Sequence, residues 1–357
     1  MQIDSAIAEC INNVEFIQGR HVKIFEEAFS KYLNVQHVIG CANGTDAIYL
    51  ALKALNVGYG DEVITAANSF IATSEAITMT GARVVFADVD PETNNISPED
   101  VLSKISDKTK VLLPVCLYGL PVDIKSLNKI AEKYNLRVVA DCAQAHGAEI
   151  NGKSIAGMVD IATYSFFPGK NLGAFGDAGA VATNNSIIAE YVAKLRNHGR
   201  GGKYIHDFEG YNMRMDEIQG AILAVKLPFL RGWNQSRREL ADIYSQRLNG
   251  IGDLKIYKEP EGLKSAYHLY VVETRYREEL RKYLLEKGIS TGIHYPIPLP
   301  VQPAYEYLKL KEADFPVSCN KAKKILSLPI FPEMDKEQHD YIIAYVIEFF
   351  KNKERNV

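Results

Sequence analysis

HVIGCANGTDAIYLALKAL, residues 37–55, sets a short β-branched run against an Asn-Gly-Thr turn and then directly against a helical pattern. Ala47, Ile48, Leu50, Ala51, Ala54 and Leu55 recur at helical spacing, so the segment after Gly44 is expected to be an amphipathic helix packed on a sheet. The same grammar repeats to about residue 185. DEVITA is followed by ATSEAITMTG, then come RVVFADV, KVLLPVCLYG and IKSLNKIAEKYN, and finally RVVADCA, DIATYSF and GAVAT. Short apolar strands alternating with helices predict a largely parallel α/β sheet.

The pattern changes after Pro228. A charged helical segment, RGWNQSRRELADIYSQRL, precedes a strand candidate in YHLYVVETR and helices in EELRKYLLEKG and DKEQHDYIIAYVIEFFK. These read as a smaller α+β domain, dividing the chain into a large domain over 1–228 and a small one over 229–357. No internal repeat or low-complexity tract interrupts either part.

Composition narrows the function classes. The chain has 357 residues, 47% apolar and 24% charged, enough to bury a sizeable core. A formal net charge of -3 offers no electrostatic reason to bind nucleic acid or an anionic membrane. No apolar run reaches the roughly 20 residues that span a bilayer, and MQIDSAIAECINNVEF lacks the basic start and apolar centre of a signal peptide. The cytoplasm is the expected compartment. Five scattered cysteines, with no CxxC pair, suggest neither a disulfide framework nor a metal site.

Four places can carry chemistry. At Asn43-Gly44-Thr45 a strand runs into a helix, offering free N–H groups, a hydroxyl and a helix dipole to a phosphate, or simply an ordinary helix cap. RVVADCAQAHGA places Asp141 at the carboxyl end of a strand, where α/β sheets bind ligands. A metal ligand, a general base, a partner for a cationic ring and a structural cap all remain open there. In YSFFPGKNLGAFGDAGAVAT, residues 164–183, one lysine, Lys170, lies among Phe166, Phe167, Pro168, Leu172 and Phe175. Desolvation there disfavours the ammonium and exposes a nucleophilic amine, although most lysines in such loops merely reach out to solvent. STGIHYPIPLPVQPAY, residues 290–305, is a proline-stiffened loop that presents His294 and Tyr295.

The order and spacing of these places say more than any one of them. Gly44-Thr45, Phe70 in ANSFIATSEAI, Asp141 with Gln144, Ser165 with Lys170, GYNMRMDEIQGAIL at 210–223 and HYPIP together closely resemble the DegT/DnrJ/EryC1 family of pyridoxal-phosphate-dependent sugar aminotransferases. The resemblance covers nearly the whole chain. It implies fold-type I: a large domain with a mostly parallel seven-stranded sheet, a small C-terminal domain, and a homodimer that shares its active sites. A FLDL-like opening segment usual in such families is absent, which points to a slightly late start or a different N-terminal anchor.

Carried over residue by residue, the resemblance makes Lys170 the Schiff-base lysine and Asp141 the carboxylate that keeps the pyridine nitrogen protonated. Gln144 would bond the phenolic oxygen, Phe70 would stack on the ring, and Gly44, Thr45 and Ser165 would hold the phosphate. Asn212 would reach that phosphate from the partner subunit. The implied reaction moves an amino group from L-glutamate, through pyridoxamine phosphate, to the keto group of a nucleotide-linked sugar. The HYPIP segment with His294 and Tyr295 suggests amination at the sugar 3-position, with a dTDP-3-keto-6-deoxyhexose the first choice and a 4-keto sugar or a UDP-3-keto sugar the alternatives. Lys203 in NHGRGGKYIH is the candidate contact to the substrate diphosphate, unless that segment is only a solvated basic loop.

Two other classes fit less well. A nicotinamide oxidoreductase needs GxGxxG between a strand and a helix, and NHGRGGKY does not supply it. A non-catalytic regulatory protein on the same fold would have no use for Lys170, Asp141 and Gln144 together. A dehydratase branch of the resembled family carries histidine at the lysine position, and here the residue is lysine.

Overall fold

The apolar strand runs pair into one large sheet because nearly every residue in them is buried on both faces. The computed structural model describes residues 2–355. Two helices open the chain, α1 (Gln2–Asn12) and α2 (Arg20–Leu33). The periodic apolar face of α2, with Val22, Phe25, Phe29 and Leu33 buried, packs on the sheet, and Asn34 ends the helix in the left-handed region at φ 54°. Its first turn is closed from far away: the buried carboxylate of Glu217 accepts the N–H of Gly19 at 2.6 Å and that of His21.

The α/β core follows in sequence: β1 (His37–Cys41), α3 (Gly44–Ala54), β2 (Glu62–Ala66), α4 (Ile71–Met79), β3 (Arg83–Ala87), α5 (Pro98–Lys104), β4 (Thr109–Leu113), α6 (Ile124–Tyr134) and β5 (Arg137–Asp141). A small hairpin, β6 (Glu149–Ile150) and β7 (Lys153–Ser154), leads to β8 (Ile161–Ser165) and β9 (Gly179–Thr183). The sheet has seven strands in the order β1-β9-β8-β5-β4-β2-β3. Neighbours from β8 through β5, β4 and β2 to β3 are parallel, whereas β9 runs antiparallel to both β8 and β1. The sheet is therefore mostly parallel, as expected, with one reversed strand.

Residues alternate between two apolar layers. Val63 and Val139 face the layer built on α3 and α4, while Ile64, Val138 and Ala140 face the one holding Phe25, Phe29, Tyr164 and Phe166. Full burial of each such large side chain contributes about 1.5–3 kcal/mol.

The chain continues through α7 (Ser186–Leu195), α8 (Glu217–Lys226) and the long α9 (Leu230–Leu248). Then come β10 (Lys255–Ile256), β11 (Leu263–Lys264), β12 (Tyr270–Glu273), α10 (Arg277–Glu286), α11 (Pro316–Ala322), β13 (Ile325–Leu328) and α12 (Lys336–Arg355). Strands β10, β12 and β13 form an antiparallel sheet, and α9, α10 and α12 share a separate core with it through Leu240, Tyr244, Leu284, Ile343 and Val346.

Between α10 and β13 the chain returns to the large sheet. Leu299 N–H bonds Ala67 O at 2.8 Å, and Tyr305 Oη bonds Ser74 Oγ at 2.6 Å. Buried Asp88 accepts the N–H groups of Val317 and Ser318, both at 2.9 Å. Strand β11 pairs with β6, adding a further tie. No described helix is long and apolar enough to cross a membrane.

Candidate active site

Strands β5 and β8 are parallel neighbours, so Asp141 and Ser165 end on the same edge of the sheet. The first turn of α3 arrives at that edge too. Gly44 leaves no space for a side chain there, since a Cβ would lie 2.6 Å from Ser165 Cβ. Asn43 is the helix cap, its side chain accepting Asp46 N–H at 2.8 Å. Among the described residues no protein acceptor takes the N–H of Gly44 or Thr45. Two free amides at a helix N-terminus, beside the hydroxyls of Thr45 and Ser165, make an anion cradle.

Asp141 is almost fully buried. Oδ2 accepts from Thr73 Oγ1 at 2.8 Å, Oδ1 accepts Ala143 N–H at 3.0 Å, and Ser69 Oγ lies 2.9 Å from Thr73 Oγ1. Burial pushes the carboxyl above its ordinary range; the bonds from Ala143 and Thr73 and the charge of Lys170 pull the other way. A carboxylate in that balance lacks a cation, and a protonated heterocycle would supply one.

Gln144 is oriented by its neighbours. Oε1 accepts Tyr118 N–H at 2.7 Å, which leaves Nε2 for Tyr295 Oη at 3.3 Å and one further N–H unspent. Tyr118 itself sits at φ 61°, and its hydroxyl donates to His294 O, tying this rim to the loop at 290–305. The Tyr295 ring stands 6.1 Å from that of Phe70, which caps α4 with its ring 56% exposed. His294 Nδ1 lies 2.8 Å from Ser327 Oγ, and burial and then the Lys170 charge lower its basicity. Burial moves the Tyr295 phenol up to about 12, so it stays protonated at neutral pH.

Lys170 lies in the loop between β8 and β9, where its own N–H bonds Phe167 O at 2.8 Å. Burial lowers its basicity and Asp141 partly restores it, which favours a neutral amine far more than an exposed lysine would. After burial, its charge further lowers the basicity of His146, His268 and His294.

Most of the sequence candidates thus converge: Gly44, Thr45, Phe70, Asp141, Gln144, Ser165, Lys170, His294 and Tyr295. Two make no hydrogen bond or ion pair with that group among the described residues. Asn212 is exposed next to Met213, whose O accepts Ala42 N–H at 3.1 Å, and Lys203 is exposed in the preceding loop, its ammonium 5.3 Å from the Tyr204 ring. Thr73, Tyr118, Asn171 and His268 were not anticipated, although all four lie inside quoted stretches: Thr73 in ANSFIATSEAI, Tyr118 in KVLLPVCLYG, Asn171 beside Lys170 in YSFFPGKNLGAFGDAGAVAT and His268 in YHLYVVETR. Among the described residues no group of three or more His, Cys, Asp or Glu could hold a metal ion. An anion cradle, an uncompensated carboxylate, an amide donor and a desolvated amine around one cleft fit a planar cationic heterocycle with an anionic tail.

The family model of the DegT/DnrJ/EryC1/StrS aminotransferases matches residues 1–347. The chain is 43% identical over 353 residues to a "pleiotropic regulatory protein" of Geobacillus stearothermophilus, covering 98% of this chain and 95% of that one. It is 40% identical over 337 residues to a UDP-N-acetyl-3-dehydro-alpha-D-glucosamine 3-aminotransferase of Acidithiobacillus ferrooxidans, covering 94% and 90% of the two chains. The crystal structure of S. venezuelae DesV in complex with a ketimine intermediate superposes with a TM-score of 0.96 at 38% identity, over 98% of this chain and 94% of that one.

Proposed function

We propose, for a chain that belongs to the DegT/DnrJ/EryC1/StrS aminotransferase family, that the cleft around Lys170 transfers an amino group from L-glutamate to the 3-keto group of a nucleotide-linked sugar. The enzyme is a pyridoxal-phosphate-dependent aminotransferase. The convergence of Lys170, Asp141 and the Gly44–Thr45–Ser165 cradle on one sheet edge carries the reading.

When bound, pyridoxal phosphate supplies a pyridinium that withdraws the electron pair released at the α-carbon of the donor. The protein's own work is to hold and to move protons. Asp141, fixed by Thr73 and Ala143, keeps a proton on the ring nitrogen. The remaining N–H of Gln144 serves the phenolic oxygen, Phe70 covers a ring face, and the cradle takes the phosphate. Lys170 Nζ, its basicity lowered by burial, would take the α-proton of the donor once the cofactor is bound. Asn212 completes the phosphate site of a second copy. The active unit is therefore a homodimer.

His294 and Tyr295 face the sugar, and Lys203 contacts its diphosphate. The HYPIP loop supports a dTDP-3-keto-6-deoxyhexose as first choice. The Acidithiobacillus relative, named for a 3-position on a UDP sugar, supports the position and makes the UDP-3-keto sugar the alternative. A non-catalytic regulatory role, suggested by the name of the Geobacillus relative, is tested by the same experiment. Borohydride reduction of the protein loaded with pyridoxal phosphate should label Lys170, and amine transfer should be faster with 3-keto than with 4-keto nucleotide sugars. Labelling at another lysine, or no transfer to any keto sugar, overturns the assignment. Mixing Lys170→Ala with Asn212→Asp protein should restore part of the activity through mixed dimers.

A further inference from the structure

The residue after Lys170 is held by a relay of side chains that ends in an imidazole. Asn171 is buried, and its Nδ2 donates to Ala266 O at 2.8 Å and to Asn234 Oδ1 at 2.9 Å. Asn234, buried on α9, donates its own Nδ2 to His146 O at 2.6 Å. A backbone carbonyl can only accept. Ala266 O and His146 O therefore fix the orientation of both amides, with no freedom to exchange nitrogen and oxygen.

Both N–H groups of Asn171 are then spent, and its Oδ1 can only accept. His268 Nδ1 lies 3.1 Å from that oxygen, so the imidazole carries its proton on Nδ1 and keeps a lone pair on Nε2. Among the described residues Nε2 has no hydrogen-bond partner. Burial first, then the charges of Lys170 and Arg237, and the neighbouring His146 and His294, all oppose protonation of this ring. The segment is also stitched to the opposite rim. Ala266 N–H bonds Gly119 O at 2.9 Å, and Leu269 N–H bonds Tyr118 O at 3.2 Å. At Gly119 a Cβ would meet His268 N at 3.0 Å and Gln144 O at 3.1 Å, so the backbones lie in direct contact.

We infer that His268 is a positioning residue for the reaction: as its Nδ1–H tautomer it anchors, through Asn171, the backbone that carries Lys170. A neutral donor holds that backbone without placing a second charge beside the amine. The inference rests on Lys170 being the reactive amine, and deepens that reading.

The test begins with wild-type apoenzyme carrying 15N-labelled histidine, the His268 signals being assigned by their loss in His268→Phe. Nδ1 should be protonated and Nε2 bare, unchanged from pH 6 to 8. An Nε2–H tautomer or an imidazolium in that range overturns the proposal; if His268→Phe does not fold, loss of the same signals in His268→Gln makes the assignment. The second measurement uses the holoenzyme. In His268→Phe, which leaves Asn171 Oδ1 without its donor, kcat should fall about tenfold or more, with KM for glutamate within about twofold. His268→Gln, which keeps a donor for Asn171, should restore kcat. An unchanged kcat in His268→Phe overturns the proposal. Borohydride labelling separates the two levels: label on Lys170 with a null result at His268 removes only this inference, and no label on Lys170 removes the reading beneath it.

Discussion

Replacing Gly44 by alanine probes the anion cradle through a single methyl group. That methyl would stand 2.6 Å from Ser165 Cβ, 3.0 Å from Ser165 Oγ and 3.2 Å from Ser165 Cα. Carbon atoms rest about 3.5–4.0 Å apart, so the start of α3 and the end of β8 must separate by about 1 Å. Overpacking of this kind costs about 1–3 kcal/mol, and the better helix propensity of alanine offsets about 1 kcal/mol of it. The net loss of about 0–2 kcal/mol lowers Tm by about 1–1.5 °C per kcal/mol for a chain of 357 residues. Cofactor binding suffers more. A displacement of about 1 Å takes a hydrogen bond out of range, and one bond to a charged group is worth about 1.5–3 kcal/mol, or about 10- to 150-fold in Kd. Titrating the apoenzyme with pyridoxal phosphate, alongside thermal unfolding without it, separates the two effects. Adding Ser165→Gly removes the Cβ and Oγ contacts, and should recover Tm while leaving affinity low, because the hydroxyl is gone. A Gly44→Ala protein with Kd within about twofold of the parent and an unchanged Tm would refute the cradle.

Other perturbations follow from the same geometry. Asp141→Asn keeps the bond from Thr73 but removes the charge that sustains the ring proton; glutamate half-reaction rates should fall at least about 100-fold with little change in Tm, and equal rates would contradict the role. Burial holds the His146 imidazole down to about 3, with the Lys170 charge adding to it. Its folded-state value is below the unfolded value of about 6.5, so its contribution is complete above that pH and is lost as pH falls, with a slope of up to about 1.4 kcal/mol per pH unit. His146→Phe, which preserves packing against Tyr164 and Phe166, should flatten the acid limb of urea stability between about pH 6 and 4; an unaltered limb argues against a neutral buried imidazole. Glu217→Gln removes the carboxylate that closes the first turn of α2 and should cost about 1–3 kcal/mol in urea unfolding, with no shift in cofactor affinity.

Much of the architecture was readable because the middles of parallel strands buried on both faces must be apolar, as Val63 and Ile64 in DEVITA and Val138, Val139 and Ala140 in RVVADCA are. The strand-end rule then placed Asp141, while Ser165 joined it only through the resemblance. The reversal of β9 was not readable, since GAVAT carries no mark of strand direction. Neither was the strained turn at Tyr118, where φ of 61° falls on a tyrosine rather than on the glycine or asparagine that normally signals it. The relay from Asn234 through Asn171 to His268 joins residues separated by 63 to 97 positions. Polar pairing over such separations leaves no periodicity. Asn212 was legible only through the resemblance, and Lys203 only as a cation in NHGRGGKYIH; both are exposed.

The return of the chain to the large sheet between α10 and β13 also bears on how the protein comes apart. Leu299, Tyr305 and Asp88 fasten that excursion to strands and helices laid down more than 200 residues earlier. A cut after Phe229 would therefore not release two self-sufficient halves: the first would lose the cover that Leu299, Tyr305 and Phe315 give its apolar layer, and the second would carry a loose apolar strap. Synthesis from a ribosome must run almost to completion before either core is sealed. Unfolding, for the same reason, should proceed as one cooperative event rather than by detachment of a C-terminal module.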